Sequence, residues 1–480
     1  MKNQNKAVAV VDTTLRDAHQ CLWATRMTTA HMLPVADKMD NIGFERLDIA
    51  GTIQFDVCVR FLKENPWERI RRMREKLQKT PMSSFTRSKS IMSFDFVPDD
   101  IVELWVERLV ANGCREVGTF DGLNDVDNML VTINAARKLG VRTIGAVAYG
   151  LSPVHTDEVY VKTAGDLVRS GKVDALWIKD AGGLLTVDRI RTLVPALRKA
   201  IGAVPIELHS HCMTGVAPLV YLEGILAGAD CVHTSIAPLA NGAAQPATQS
   251  TVKNLRALGY RVDVDDKLID EVGEHFRQVA EQEGKPVGQV QEYDAFHYEH
   301  QLPGGMLANF KVQLAELGMS HKFQQVLEEC AQVRQEIGYP ILITPFAQFV
   351  GTQAVLNVIH GERYRIVPDE VKKYVLGYYG KLLAPVQPDV LDRIIANGSP
   401  QIPLQPRALE PAVDRLRKKY PGMSDDERVL RFMYAGNQVD LMLAAGAMKT
   451  EYEFEAPLVH LVRELAARKV SKVYFGSIGH

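Results

Sequence analysis

What the chain lacks narrows its possible functions first. No apolar run reaches the roughly 18–20 residues that a membrane-crossing helix needs, so no span is expected. Neither sign of charge is in surplus, with 56 Lys and Arg against 58 Asp and Glu in 480 residues. A protein held to nucleic acid through phosphates would need a basic surplus or stripe. The densest basic stretch, Arg69–Lys76, has apolar residues at helical spacing and reads as a solvated helix face. The six cysteines (Cys21, Cys58, Cys114, Cys212, Cys231, Cys330) include no Cys-x-x-Cys pair. Free thiols in a reducing compartment fit that pattern, so a cytoplasmic location is expected. Met1–Lys6 leads into an apolar strand without the core or cleavage site of a signal peptide. No Gly-x-Gly-x-x-Gly follows an early strand, which disfavours a doubly wound dinucleotide-binding sheet.

What is present is a strand-then-helix rhythm. Short apolar, often β-branched runs occur at Ala7–Val11, Arg46–Ala50, Met82–Phe85, Glu116–Phe120, Thr143–Ala148, Ala175–Ile178, Pro205–Leu208 and Cys231–Ser235. Amphipathic segments such as Pro98–Asn112 and Val187–Ala200 lie between them. Eight strands alternating with helices predict a (β/α)8 TIM barrel over residues 1–261. Residues 262–480 read as a mostly helical region that completes the active site. It is broken at Gln301–Gly305, carries a short strand at Ile341–Ile343, and has a Pro-rich joint near 385–411.

Active sites of this fold lie at the C-terminal ends of the strands. The polar groups there are Asp12, Arg16, Asp17, Asp56, Arg87, Asp121, Tyr149, Lys179, Asp180, His209, His211 and Asn241. His209 and His211 are two apart, so strand alternation turns both imidazoles to one side, a way to hold a divalent metal. Asp17 can supply a carboxylate oxygen. Lys179 has three readings: a surface lysine, a Schiff-base amine, or a carbamylated metal ligand. Two histidines and an aspartate nearby favour the last. Asp180 has no assigned catalytic role, and Thr344 before Pro345 reads as a turn residue.

Several stretches resemble the carboxyltransferase domain of biotin-dependent enzymes, shared by pyruvate carboxylase, the oxaloacetate decarboxylase alpha subunit and the transcarboxylase 5S subunit. They are Asp12–Gln20, Ser152–Thr156, Ile178–Asp180, His209–His211, Gln301–Met306, Ile343–Pro345 and Gln348–Val358, in family order over nearly the whole chain. The resemblance implies a divalent metal (zinc, manganese or cobalt) on Asp17, carbamylated Lys179, His209 and His211. That metal would stabilise an enolate of a keto-acid-like substrate. Arg87 would clamp the substrate, with Asp56 nearby. Arg16 and Gln20 would stabilise enolate charge, and Thr344 would shuttle a proton between biotin and the enolate, which overturns its reading as a turn residue.

The departures from the family cluster at the barrel mouth. Ile49–Asp56 stands where the family has Trp-Gly-Gly-Ala-Thr-Phe-Asp. Arg87 is followed by Ser88, Lys89 and Ser90, and Phe94 replaces a tyrosine. Cys212-Met213-Thr214 and Lys179–Gly183 also differ. Lys89 adds a charge that could meet a second substrate carboxylate or equally point to solvent, and a substrate other than plain pyruvate is expected.

No β-rich carrier sequence surrounds a Met-Lys-Met, and Lys449 lies between stretches that read as helices (440–445 and 458–462), so it is not read as a biotin site. No ATP-grasp segment is visible either. Biotin is therefore expected on a partner carrier protein, carboxylated by a partner biotin carboxylase subunit. The resemblance further implies a homodimer. Two other readings compete with a carboxyltransferase, a biotin-independent lyase or aldolase on the same metal barrel and a catalytically silent scaffold subunit.

Overall fold

The computed structural model describes residues 6–455 and the isolated positions 459, 462, 465 and 466. The reading of Met1–Asn5, and most of the helix expected over 458–462, lie outside these residues. Eight parallel strands close into a barrel: β1 (Ala9–Asp12), β2 (Arg46–Gly51), β3 (Met82–Arg87), β4 (Glu116–Phe120), β5 (Arg142–Ala148), β6 (Ala175–Asp180), β7 (Ile206–Ser210) and β8 (Cys231–Thr234). Each strand pairs with the next, and β1 closes the ring on β8 with Val10 opposite Val232 and Val11 opposite His233. All eight expected strands are present. β3, β6 and β7 run two residues beyond their apolar patterns, to Arg87, Asp180 and Ser210. Ladder hydrogen bonds involve the backbone and need no apolar side chain. The extension carries Arg87, Lys179 and His209 into ordered strand.

The outer helices begin where local chemistry starts them. Asn65 caps the helix Pro66–Lys76, its Oδ1 accepting from the amides of Trp67 at 3.0 Å and Glu68 at 3.4 Å. The basic stretch lies on this helix. Arg71 and Arg72 pair with Glu68 at the surface, but Arg69 is buried and bonded to Glu64 at 2.6 Å, which corrects the expectation of a wholly solvated face.

One further expectation is corrected beyond β8. Ile341–Ile343 is not a strand; its chain is irregular, with the Ile343 amide donating to the Ile341 carbonyl at 2.8 Å. A closed barrel offers no edge to pair with. Ile341 and Ile343 instead pack on Phe85, Phe120 and Trp177. Residues beyond 261 pack both against the barrel and among themselves. The helix Asp266–Glu283 buries Ile269, Val272 and Phe276 in the core around the barrel, and helices at 413–444 add Leu416, Val429, Leu430 and Val439 to it. A second core, from Leu302 to Ile394, gathers Phe310, Val326, Phe349, Val350 and Tyr374. Lys449 follows the helix Gln438–Ala444 in exposed, irregular chain.

Gly118 of β4 lies against the Phe85 ring, and a Cβ there would stand 2.1 Å from Cε2. The substitution Gly118→Ala is expected to cost about 1–3 kcal/mol through overpacking, measured as a lower midpoint in denaturant unfolding.

Candidate active site

β7 sends Glu207 and His209 into the barrel by alternation, and His211 continues the column just past its end. The turn after β1 brings Asp17 across to meet them. Asp17 Oδ2 is 3.1 Å from His209 Nε2 and 3.2 Å from His211 Nε2, and the two Nε2 atoms are 3.3 Å apart. All three groups are buried. Arg16 holds the other oxygen, its guanidinium donating to Asp17 Oδ1 at 2.6 Å and, through Nε, to Asp48 at 2.7 Å. Burial opposes the Asp17 charge, but Arg16 and His211 together hold this carboxyl well below its ordinary range. Burial drives His209 well down, with Lys179 adding to the effect, so its imidazole is neutral.

Lys179 stands opposite His209 in the ladder between β6 and β7. Its Nζ lies 4.6 Å from the Trp177 ring and 5.6 Å and 5.5 Å from those of Phe85 and Phe120. Burial in this aromatic cage brings its pKa down to about 8, with Asp17 opposing the shift. A partly neutral amine is the form that reacts with carbon dioxide or a carbonyl.

These groups open onto a cavity of about 570 Å³ lined by Arg16, Asp17, Gln20, Arg87, Lys179, His211 and Thr344 among others. Arg87 ends β3. Its Nε donates to Thr52 Oγ1 at 3.2 Å and to the Ile91 carbonyl at 3.0 Å, and both terminal nitrogens are buried without a partner. Burial lowers its pKa to about 10. A residue that lines the cavity and keeps two buried guanidinium nitrogens without a partner is a candidate seat for a carboxylate. Thr344 reaches the cavity from the second core. Gln348 Nε2 donates to its Oγ1 at 3.4 Å, while Gln348 Oε1 is buried and unpartnered. Gln20 lines the cavity and accepts from Gln54 Nε2 at 3.3 Å.

Other expected residues sit elsewhere. Lys89 turns to Asp99 at 2.6 Å and does not line the cavity. Phe94 is 42% exposed, edge-on to Phe349. Asp56 pairs with Arg60 at 2.7 Å outside the cavity lining. Asp12, Asp121 and Asp180 bind backbone amides of the loops that follow their strands.

One residue escaped the sequence reading. Gln245, fully buried after β8, accepts from Thr13 Oγ1 at 2.9 Å and from Ser235 Oγ at 3.1 Å. Its Nε2 donates to Asp17 Oδ2 at 2.7 Å and lies 3.3 Å and 3.1 Å from the Nε2 atoms of His209 and His211. Following β8 as far as the Gln245-Pro246 pair, and counting amides among the candidates, would have found it.

The donor set suits a divalent ion. Oxygen and nitrogen ligands at about 2.0–2.2 Å around a tetrahedral ion stand about 3.3–3.6 Å apart. The three separations of 3.1, 3.2 and 3.3 Å among Asp17, His209 and His211 lie close to that spacing.

Barrel and cavity together define a (β/α)8 protein with its candidate site at the C-terminal ends of the strands. A conserved carboxylase domain matches residues 298–452. A subunit of the pyruvate carboxylase of Methanocaldococcus jannaschii is 44% identical over 407 residues, covering 84% of this chain and 71% of that protein. The 2-oxoglutarate carboxylase large subunit of Hydrogenobacter thermophilus is 36% identical over 81% of this chain and 60% of its own length. The carboxyl transferase domain of Rhizobium etli pyruvate carboxylase, solved with pyruvate and biocytin, superposes with a TM-score of 0.83 at 28% identity, covering 92% of this chain and 78% of that one. The chain belongs to the carboxyltransferase family of biotin-dependent carboxylases.

Asp180 accepts from Ser210 Oγ at 2.6 Å and from the amides of Leu184 and Leu185 at 2.8 and 2.9 Å. Asp180→Ala is expected to destabilise the fold by about 2–4 kcal/mol, at roughly 1 kcal/mol per bond, with Asp180→Asn milder in the same unfolding measurement.

Proposed function

We propose that this chain moves a carboxyl group between carboxybiotin, presented by a partner carrier protein, and a small 2-oxo acid. The observation that carries this reading is Arg87, with two unpartnered guanidinium nitrogens, lining the same cavity as Asp17, Lys179, His211 and Thr344. Asp17, His209, His211 and a carbamylated Lys179 would hold a divalent metal, which when bound acts as a Lewis acid on the substrate carbonyl. Arg87 binds the substrate carboxylate through its two free nitrogens and so fixes the orientation of the keto group. Arg16 keeps Asp17 aimed, and with Gln20 it offers donors toward negative charge developing on the substrate oxygen. The Thr344 hydroxyl holds the proton that passes between the substrate carbon and the ureido nitrogen of biotin. The unpartnered Gln348 Oε1 suits an N–H donor, which the ureido ring carries.

The substrate follows from the same groups. Relatives are carboxylases of pyruvate and of 2-oxoglutarate, and one carboxylate seated on Arg87 accommodates either. The sequence-based case for a second carboxylate rested on Lys89, which pairs with Asp99 instead. Both acids therefore belong in the assay. A biotin carrier and a biotin carboxylase are proposed as separate partner subunits. No helix among the described residues is long and apolar enough to cross a membrane.

The test is carboxyl transfer to each acid with a biotinylated carrier, with and without avidin. Loss of turnover in avidin supports the reading; undiminished turnover would move the protein to a biotin-independent lyase. Arg87→Ala is expected to raise KM for the 2-oxo acid by about 10²–10⁴-fold, from two charge-assisted bonds of about 1.5–3 kcal/mol each.

Thr344→Ala is expected to abolish transfer while leaving the metal content of the purified protein unchanged. Asp17→Ala should remove the metal and the activity together. Elemental analysis beside the assay separates the two cases.

A further inference from the structure

Beneath the Asp17 cluster the barrel holds a second polar chain that the proposed reaction does not use. Glu207 lies two residues before His209 on the inward column of β7, and His233 comes from the adjoining β8. His209 Nδ1 and His233 Nδ1 are 3.3 Å apart, and His233 Nε2 is 2.9 Å from Glu207 Oε2. Arg46 completes the chain, its NH1 donating to Glu207 Oε1 at 2.9 Å and its NH2 pairing with Oε2. The four side chains are all but excluded from solvent. The Trp177 ring packs on both imidazoles, 4.7 Å from His209 and 4.5 Å from His233.

This arrangement decides where the protons lie. The two guanidinium contacts from Arg46, one to each oxygen, hold Glu207 as a carboxylate, able only to accept. His233 must then carry its proton on Nε2. Arg46 NH2 also lies 3.3 Å from that nitrogen, but the carboxylate is closer and anionic, so it sets the tautomer. The fixed charge of Arg46, 3.3 Å from the ring, opposes a second positive charge on His233. Its Nδ1 is therefore bare and can only accept. It offers the His209 Nδ1 proton an acceptor 3.3 Å away, and a proton held there frees the Nε2 lone pair for a metal at the place, 3.1 Å from Asp17 Oδ2, where a proton would otherwise bridge to the carboxylate.

We infer that the Glu207–His233 pair is a positioning device that fixes His209 in the tautomer a metal ligand needs. The inference rests on the proposed metal site. Neighbours that orient ligand histidines commonly contribute about 10–100-fold to metal affinity.

The test compares His233→Asn, whose side-chain oxygen can accept the His209 Nδ1 proton, with His233→Leu, which cannot. Each purified apoprotein is titrated with Co2+ and followed by its visible absorption. The expected result is a loss of about 10–100-fold in Co2+ affinity for His233→Leu, with His233→Asn close to the unsubstituted protein. Unchanged affinity in His233→Leu, or equal losses in both variants with unchanged melting temperature, would overturn the inference. A second readout, 15N NMR of histidine-labelled apoprotein, should show His233 protonated on Nε2 and bare on Nδ1; a His233 proton on Nδ1 would also overturn it. Should His233→Leu fail to fold, this spectrum and the His233→Asn titration decide the question. Should the unsubstituted protein take up no Co2+, the metal reading fails, while the tautomer assignment still reports separately on the pair.

Discussion

The period-two alternation of side chains in a closed parallel barrel is the constraint on which the rest depends. Closure of β1 onto β8 leaves every strand with two neighbours and an inward row of side chains that must fill the interior. In β7 that row is Glu207 and His209, extended by His211, and ladder pairing sets Lys179 beside His209. A slip of one residue in β7 would turn both strand residues into the outer apolar layer. The column is held by the same hydrogen bonds that hold the sheet.

The barrel interior is charged, and this determines how its groups are arranged. Arg46 with Glu207, and Arg16 with Asp17 and Asp48, pair fully buried ions. Removing one partner of such a pair strands the other at a cost of about 3–5 kcal/mol. Arg87 is held differently: a buried guanidinium with two nitrogens unpartnered, its side chain lining the cavity. A buried cation left unpaired by the protein is best explained by an anion that arrives with the substrate.

The second core contributes the far wall of the cavity. Ile341 and Ile343 close the barrel mouth over Phe85, Phe120 and Trp177, and the chain then presents Thr344 and Gln348. The barrel alone would leave its strand ends open to solvent. The loop covers them with apolar contacts and brings hydroxyl and amide groups that no barrel strand supplies.

The eight strands, the barrel and the strand-end histidines were legible in the sequence, because β-branched runs and period-two spacing are local properties. Asp17, Lys179 and Arg87 were legible as candidates by their place after apolar runs. Gln245 was not, since its approach to Asp17 depends on the return of the chain after β8. Lys89 looked like a pocket residue because it follows Arg87, yet the turn beyond β3 directs it to Asp99. Likewise the helices at 266–283 and 413–444 show the same amphipathic pattern as those of the second core. An apolar stripe tells a helix to bury one face without naming the partner. The sequence by itself determined the elements and the chemistry at their ends; only the tertiary structure decided which groups meet, because those meetings join residues far apart in the chain.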